Sequence, residues 1–135
     1  MILEYGVGAK NKLDTFARTY TKDMITSPSI TVSLYLTTEE LRRIYKKMLE
    51  INFFDYPDKF VVHPPGDIIG IQTPFSSYYF IVEYNSKIKK LSWNNDIVYV
   101  DEKAGKLNEL IRLITDIISS KEEYQKLPEP RGGYL

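Results

Sequence analysis

Two stretches of this chain repeat apolar residues with a helical period, and each follows a segment that alternates with a period of two. Leu41, Ile44, Tyr45, Met48 and Ile51 form the first stripe; Leu107, Leu110, Ile111, Ile114 and Ile117 form the second at the same offsets of 3, 4, 7 and 10. Stripes of this kind must be buried against another element. Ahead of the first, Ile30, Val32, Leu34 and Leu36 alternate with Thr31, Ser33 and Tyr35, as in a strand with one buried face. A chain of 135 residues holds one such core rather than two. The order strands-then-helix, strands-then-helix predicts an α+β fold, a twisted antiparallel sheet with two helices packed on one face. The uncovered face then carries Thr, Ser, Lys and Tyr. The repeated order also raises a duplicated strands-then-helix unit, although any amphipathic helix produces those offsets.

The helix ends are marked by capping chemistry. Thr37 and Glu40 have the spacing of a capping box, in which each side chain satisfies an amide at the helix start. Arg42, Arg43, Lys46 and Lys47 occupy the outer faces, and Asn52 is a stop before Phe53-Phe54-Asp55-Tyr56-Pro57. Asp101 is positioned to cap the second helix, Lys121 to Tyr124 to extend it, and Pro128 and Pro130 to end it. Residues 1–127 therefore read as one domain and residues 128–135 as a flexible tail.

Strands are expected at Met1 to Val7, at Lys12 to Thr21 and around Ile30, with Asp23 to Pro28 as a polar connection. Tyr78 to Tyr84 and Lys87 to Trp93 read as a hairpin turning at Asn85-Ser86. Phe80, Val82 and Tyr84 share one face there, and Leu91 and Trp93 another. Short strands are expected at Ile68 to Gln72 and Ile97 to Val100.

Composition excludes several chemistries. The chain has no cysteine and one histidine, His63, which removes disulfides, thiol nucleophiles, cysteine-ligated zinc and two-histidine metal motifs. Lys plus Arg and Asp plus Glu are both 18, so there is no positive footprint for nucleic acid. No run approaches the ~20 apolar residues of a membrane span. Met1-Ile-Leu-Glu-Tyr lacks the basic start of a signal peptide. The protein reads either as cytosolic or as a mature segment whose leader lies outside this sequence. No cofactor and no metal is expected.

Each candidate for chemistry has a structural competitor. Gly6-Val7-Gly8-Ala9-Lys10 lacks the spacing and the following helix of a phosphate loop and reads as a bulged hairpin turn. His63 stands four residues before Asp67 in a His-Pro-Pro-Gly-Asp loop; the pair suits general acid–base work, and equally a rigid surface turn. Asp55, Asp58, Asp96 and Asp101-Glu102 read as Asx turns and a cap rather than as a calcium loop or a glycosidase pair. The 11 Tyr, 6 Phe and 1 Trp form the notable excess. Phe53, Phe54, Phe80 and Trp93 are assigned to the core. Tyr35, Tyr78 and Tyr79 are assigned to the surface, as anchors for a partner.

Several motifs in order carry a family resemblance. They are Asp14-Thr15-Phe16 with Thr21-Lys22-Asp23-Met24, Leu36-Thr37-Thr38-Glu39-Glu40-Leu41, Asn52-Phe53-Phe54-Asp55-Tyr56-Pro57, Ser92-Trp93, and Lys121-Glu122-Glu123-Tyr124 with Leu127-Pro128-Glu129-Pro130. Together they resemble a group of small, uncharacterised bacterial domains often found as secreted lipoproteins. The resemblance implies an extracytoplasmic location after a signal segment and a lipid-bearing cysteine, neither of which is in this sequence. It supplies no activity and no catalytic residue.

The leading expectation is a non-enzymatic binding or accessory domain. It would take a protein or peptide partner on its open sheet face and loops, with Tyr35, Tyr78, Tyr79, His63 and Asp67 as candidate binding residues. The alternatives are a small hydrolase or transferase using His63 with a nearby acid, and a cytosolic regulator of a mobile element that binds a small ligand.

Overall fold

A computed structural model describes residues 1–66, 70–130 and 132. In chain order they form β1 (Ile2–Tyr5), β2 (Asn11–Asp14), β3 (Thr19–Met24), β4 (Ser27–Ser33), α1 (Thr38–Glu50), a 3-10 turn (Phe53–Asp55), β5 (Lys59–Phe60), β6 (Ser77–Tyr84), β7 (Lys87–Asn94), α2 (Glu102–Ser119) and α3 (Glu122–Gln125). The strands make one seven-stranded sheet in the order β4-β3-β2-β1-β6-β7-β5. All pairings are antiparallel except β5 with β7. The fold is the α+β arrangement that the two stripes require.

Register explains the core. Leu3 lies opposite Leu13 on β2 and Phe80 on β6, Leu13 opposite Tyr20, and Phe80 opposite Leu91. Side chains opposite one another share a face, so this row runs across five strands. Ile44 and Met48 of α1 and Leu107, Leu110, Ile114 and Ile118 of α2 bury against it in one cluster. The other face carries Thr21, Thr31, Ser33, Ser77, Tyr79, Lys90, Ser92 and Asn94, all exposed or half-exposed. Burying the apolar row supplies the main driving force, roughly 1.5–3 kcal/mol for each fully covered large side chain.

The caps form as the sequence requires. Thr37 Oγ1 accepts from the Glu40 amide at 3.1 Å while Glu40 Oε1 accepts from the Thr37 amide at 2.8 Å. Asn52 ends the segment in the left-handed region with φ +57. Asp101 Oδ2 accepts from the Ala104 amide at 2.9 Å. The Asn85-Ser86 turn has positive φ at both residues, the mirror-image turn that suits hairpin twist.

Local chemistry overrides the expected pattern in several places. Lys12 to Thr21 is not one strand: Asp14 Oδ1 accepts from the amides of Phe16 and Ala17, and this Asx turn divides it into β2 and β3. Asp23, expected in a connection, belongs to β3, and the turn follows at Ile25, φ +62. The hairpin register aligns Tyr78 with Trp93 and Phe80 with Leu91, so the apolar sets of β6 and β7 share one face, not two. Ile97 to Val100 is not a strand; only Ile97 bridges, to Ile71, and Val100 is 96% exposed. Ile68 and Ile69 lie outside the described residues. Lys121 does not extend α2, because its extended backbone (ψ 136) breaks the helix before α3. The two strands-then-helix halves also differ in layout: β1 to β4 form a meander, whereas β6 and β7 form a hairpin edged by the parallel β5. Phe53, Phe80 and Trp93 are buried, while Phe54 is half-buried and stacks on Tyr84 at 4.4 Å.

Candidate binding groove at one end of the sheet

The parallel pairing of β5 with β7 builds a concavity at one end of the sheet. Lys59 is aligned with Ser92 and Phe60 with Trp93. The Ser92 amide donates to Asp58 O at 2.8 Å, and Lys89 Nζ reaches Tyr56 O and, at 3.0 Å, Asp58 Oδ1. These bonds hold the segment leading into β5 against the sheet. Beyond it, Val61 and Val62 run past the start of β6 and the end of β7, leaving a groove of about 320 Å³. It is lined by polar Lys59, Ser77, Ser92, Asn94 and Asp96 together with Val61, Tyr79 and Ile97.

The groove mixes two kinds of surface. Val61 is 44% and Tyr79 45% exposed, and on the adjoining loop Val98 is 60% and Tyr99 45% exposed. The loop's position is fixed by backbone bonds: Gln72 N–H donates to Asp96 O and Val98 N–H to Gly70 O, both at 2.8 Å. Among the described residues, nothing forms an ion pair with Lys59 or Asp96. A surface of this kind presents apolar area together with donors and acceptors.

The candidate residues are only partly brought together. Tyr79 lies on the open face and lines the groove. Tyr78 borders the groove from the helix side, where its half-buried ring stacks on Trp93 at 5.2 Å. Tyr35 is 59% exposed but stands at the opposite end of the sheet, beyond Ser33, with the Arg18 guanidinium 5.3 Å from its ring centroid. His63 is exposed just past Val62 and does not line the groove. Asp67 lies outside the described residues. Lys59, Ser92 and Asn94 are not among the candidate residues of the sequence, where Ser92 enters only through the Ser92-Trp93 motif; the β5–β7 pairing, which spans some thirty residues of chain, is what brings Lys59 beside Ser92.

A second polar cluster lies on the helix side. The hydroxyls of Tyr5 and Tyr20 meet at 2.6 Å, and Tyr124 packs edge-on against Tyr20 at 5.6 Å. Buried Lys22 lies 5.0 Å from the Tyr124 ring centroid and donates to Pro128 O at 3.0 Å. Burial pushes Tyr20 up to about 12 and Tyr5 further, so both hydroxyls stay protonated at neutral pH. The cluster acts as a staple between β3 and the segment after α3.

Among the described residues, no group of three His, Cys, Asp or Glu side chains stands close enough to hold a metal ion. Among the described residues, no helix is long and apolar enough to cross a membrane. No family model, curated protein or solved structure matches the chain.

Proposed function

We propose that this chain is a non-enzymatic binding or accessory domain that takes a protein or peptide partner along the groove beside β5 and the adjoining open sheet face. The supporting observation is the convergence at one end of the sheet of exposed apolar side chains, Val61 and Tyr79, with Lys59, Ser77 and Asn94. An extended peptide needs that combination, apolar pockets for alternate side chains and polar groups for its backbone. Tyr79 serves as the anchor, since an exposed ring on a rigid strand loses little freedom on binding. The resemblance to secreted lipoprotein domains adds an extracytoplasmic setting to the proposal.

The test is selection of displayed random peptides on the folded protein, followed by amide NMR titration of a selected peptide. Saturable shifts at Lys59, Ser77, Tyr79, Ser92 and Asn94 are expected. Tyr79→Ala should weaken binding about tenfold, the effect of a single hot-spot residue. Failure to select any saturable binder, or shifts confined to other surfaces, would overturn the reading.

A further inference from the structure

The opposite edge of the sheet carries a second, independent surface. β4 is the outermost strand there, and among the described residues no strand pairs with its outer side. Its backbone orientation is fixed by its one neighbour. Leu34 N–H donates to Arg18 O at 2.9 Å, and Tyr20 is aligned with Val32 and Lys22 with Ile30. Antiparallel pairs alternate, so Val32 and Ile30 turn their N–H and C=O toward β3, while Thr31 and Ser33 turn theirs outward. The Thr21 and Thr31 hydroxyls meet at 2.9 Å, the close side-chain approach of a pair that does not exchange backbone bonds.

Natural sheets blunt such an edge with lysine, an outward-blocking proline or an inward charge. Ser27–Ser33 reads Ser-Pro-Ser-Ile-Thr-Val-Ser and has no charged residue. Pro28 and Ser29 fall in the irregular stretch where the β3 register shifts, away from Thr31 and Ser33. The strand is also complementary to itself. With a two-fold axis through Thr31, Thr31 faces its own copy, Ser33 faces Ser29, and the half-buried Ile30 and Val32 face each other on the helix side. The outward groups of Thr31 then pair with those of its copy, apolar meets apolar, and no like charges oppose.

We propose that β4 is a self-association edge, through which a second copy of this chain pairs antiparallel about Thr31 to continue the sheet across both molecules. The contact is a single strand pair, so the dimer belongs to the weak class of small interfaces. It leaves the groove beside β5 free at each outer end.

Sedimentation velocity over a concentration series, with hydrogen exchange at each concentration, tests this on the full chain. The wild type should move from monomer to dimer, with protection of the Thr31 and Ser33 amides rising in step. Thr31→Lys and Thr31→Glu place like charges across the axis and should each be monomeric with unchanged far-ultraviolet circular dichroism. Mixed in equal amounts, they should recover dimer. A wild type that stays monomeric at about millimolar concentration would overturn the proposal. So would a Thr31→Lys variant that dimerises like the wild type, a mixture that remains monomeric, or dimerisation without protection at Thr31 and Ser33.

Discussion

Removing the carboxylate of Glu40 should uncouple the start of α1 from the junction of α2 and α3. Glu40 closes the capping box and also accepts from Lys121 Nζ, a residue far along the chain. Both side chains are largely covered, 17% and 16% exposed. Burial alone would raise the Glu40 carboxyl, but the Lys121 ammonium and the Thr37 amide outweigh it and hold the pKa below the usual carboxylate range. Exposed pairs contribute about 0.2–1 kcal/mol, and breaking a fully buried one costs about 3–5 kcal/mol. With a sixth of each side chain in solvent, Glu40→Gln, which keeps an acceptor for the Thr37 amide, should cost about 1–2 kcal/mol. Glu40→Ala also loses the cap and should cost about 2–3 kcal/mol. Urea denaturation at neutral pH measures both, and a cycle with Lys121→Met should give a coupling of about 1–2 kcal/mol. The pH dependence has a definite sign. The folded pKa is depressed, so the stabilisation is fully present above the unfolded value of about 4.3 and is lost as pH falls through the folded one. The gap between wild type and Glu40→Gln should therefore narrow below about pH 4. A coupling under about 0.3 kcal/mol, or a gap constant across that range, would refute the reasoning.

Other substitutions probe separate parts of the fold. Ile114 is fully buried under the sheet, so Ile114→Ala should cost about 2–5 kcal/mol, and an unchanged melting midpoint would displace α2 from the core. Thr37→Ala should cost about 0.5–2 kcal/mol, with loss of exchange protection at the Glu40 amide as its signature. Ser86 sits at φ +61, where a side chain is strained and glycine is not. Ser86→Gly should raise stability by up to about 1 kcal/mol; a lower urea midpoint would show that this turn is unstrained.

The sequence was most informative where one residue decides one local event. The Thr37–Glu40 box, the Asp101 cap and the Asn52 stop each depend on neighbours within a few positions, and each forms. Period-two alternation likewise separated buried Phe80 and Val82 from exposed Tyr79. The pattern misleads where a side chain competes with it. Asp14 turns the chain in the middle of an apparently continuous strand, because its carboxylate captures two amides that a ladder would otherwise use. Strand parity alone does not give the shared β6–β7 face, because it fixes a face only relative to a partner, and the register supplies that partner. The groove was least legible. Its geometry rests on a two-residue parallel strand and on carbonyls reached by Lys89, contacts between segments too far apart for periodicity to report.

The position of β1 has a kinetic consequence. Its pairing with β6, at Ile2, Leu3 and Glu4 opposite Ile81, Phe80 and Tyr79 and continued by the Val7–Ser76 bridge, is the strand seam that, among the described residues, joins the meander to the β6–β7 hairpin. Both flanking units are made of neighbouring segments and can zip quickly, whereas the seam closes a loop containing α1 and β5 and bears the entropy of doing so. Weakening it at Leu3 should slow refolding in stopped-flow experiments, while weakening the outer strand at Val32 should chiefly hasten unfolding. Equal effects on both limbs at both sites would contradict this. The middle of the sheet, rather than either edge, then sets the folding speed of the whole chain.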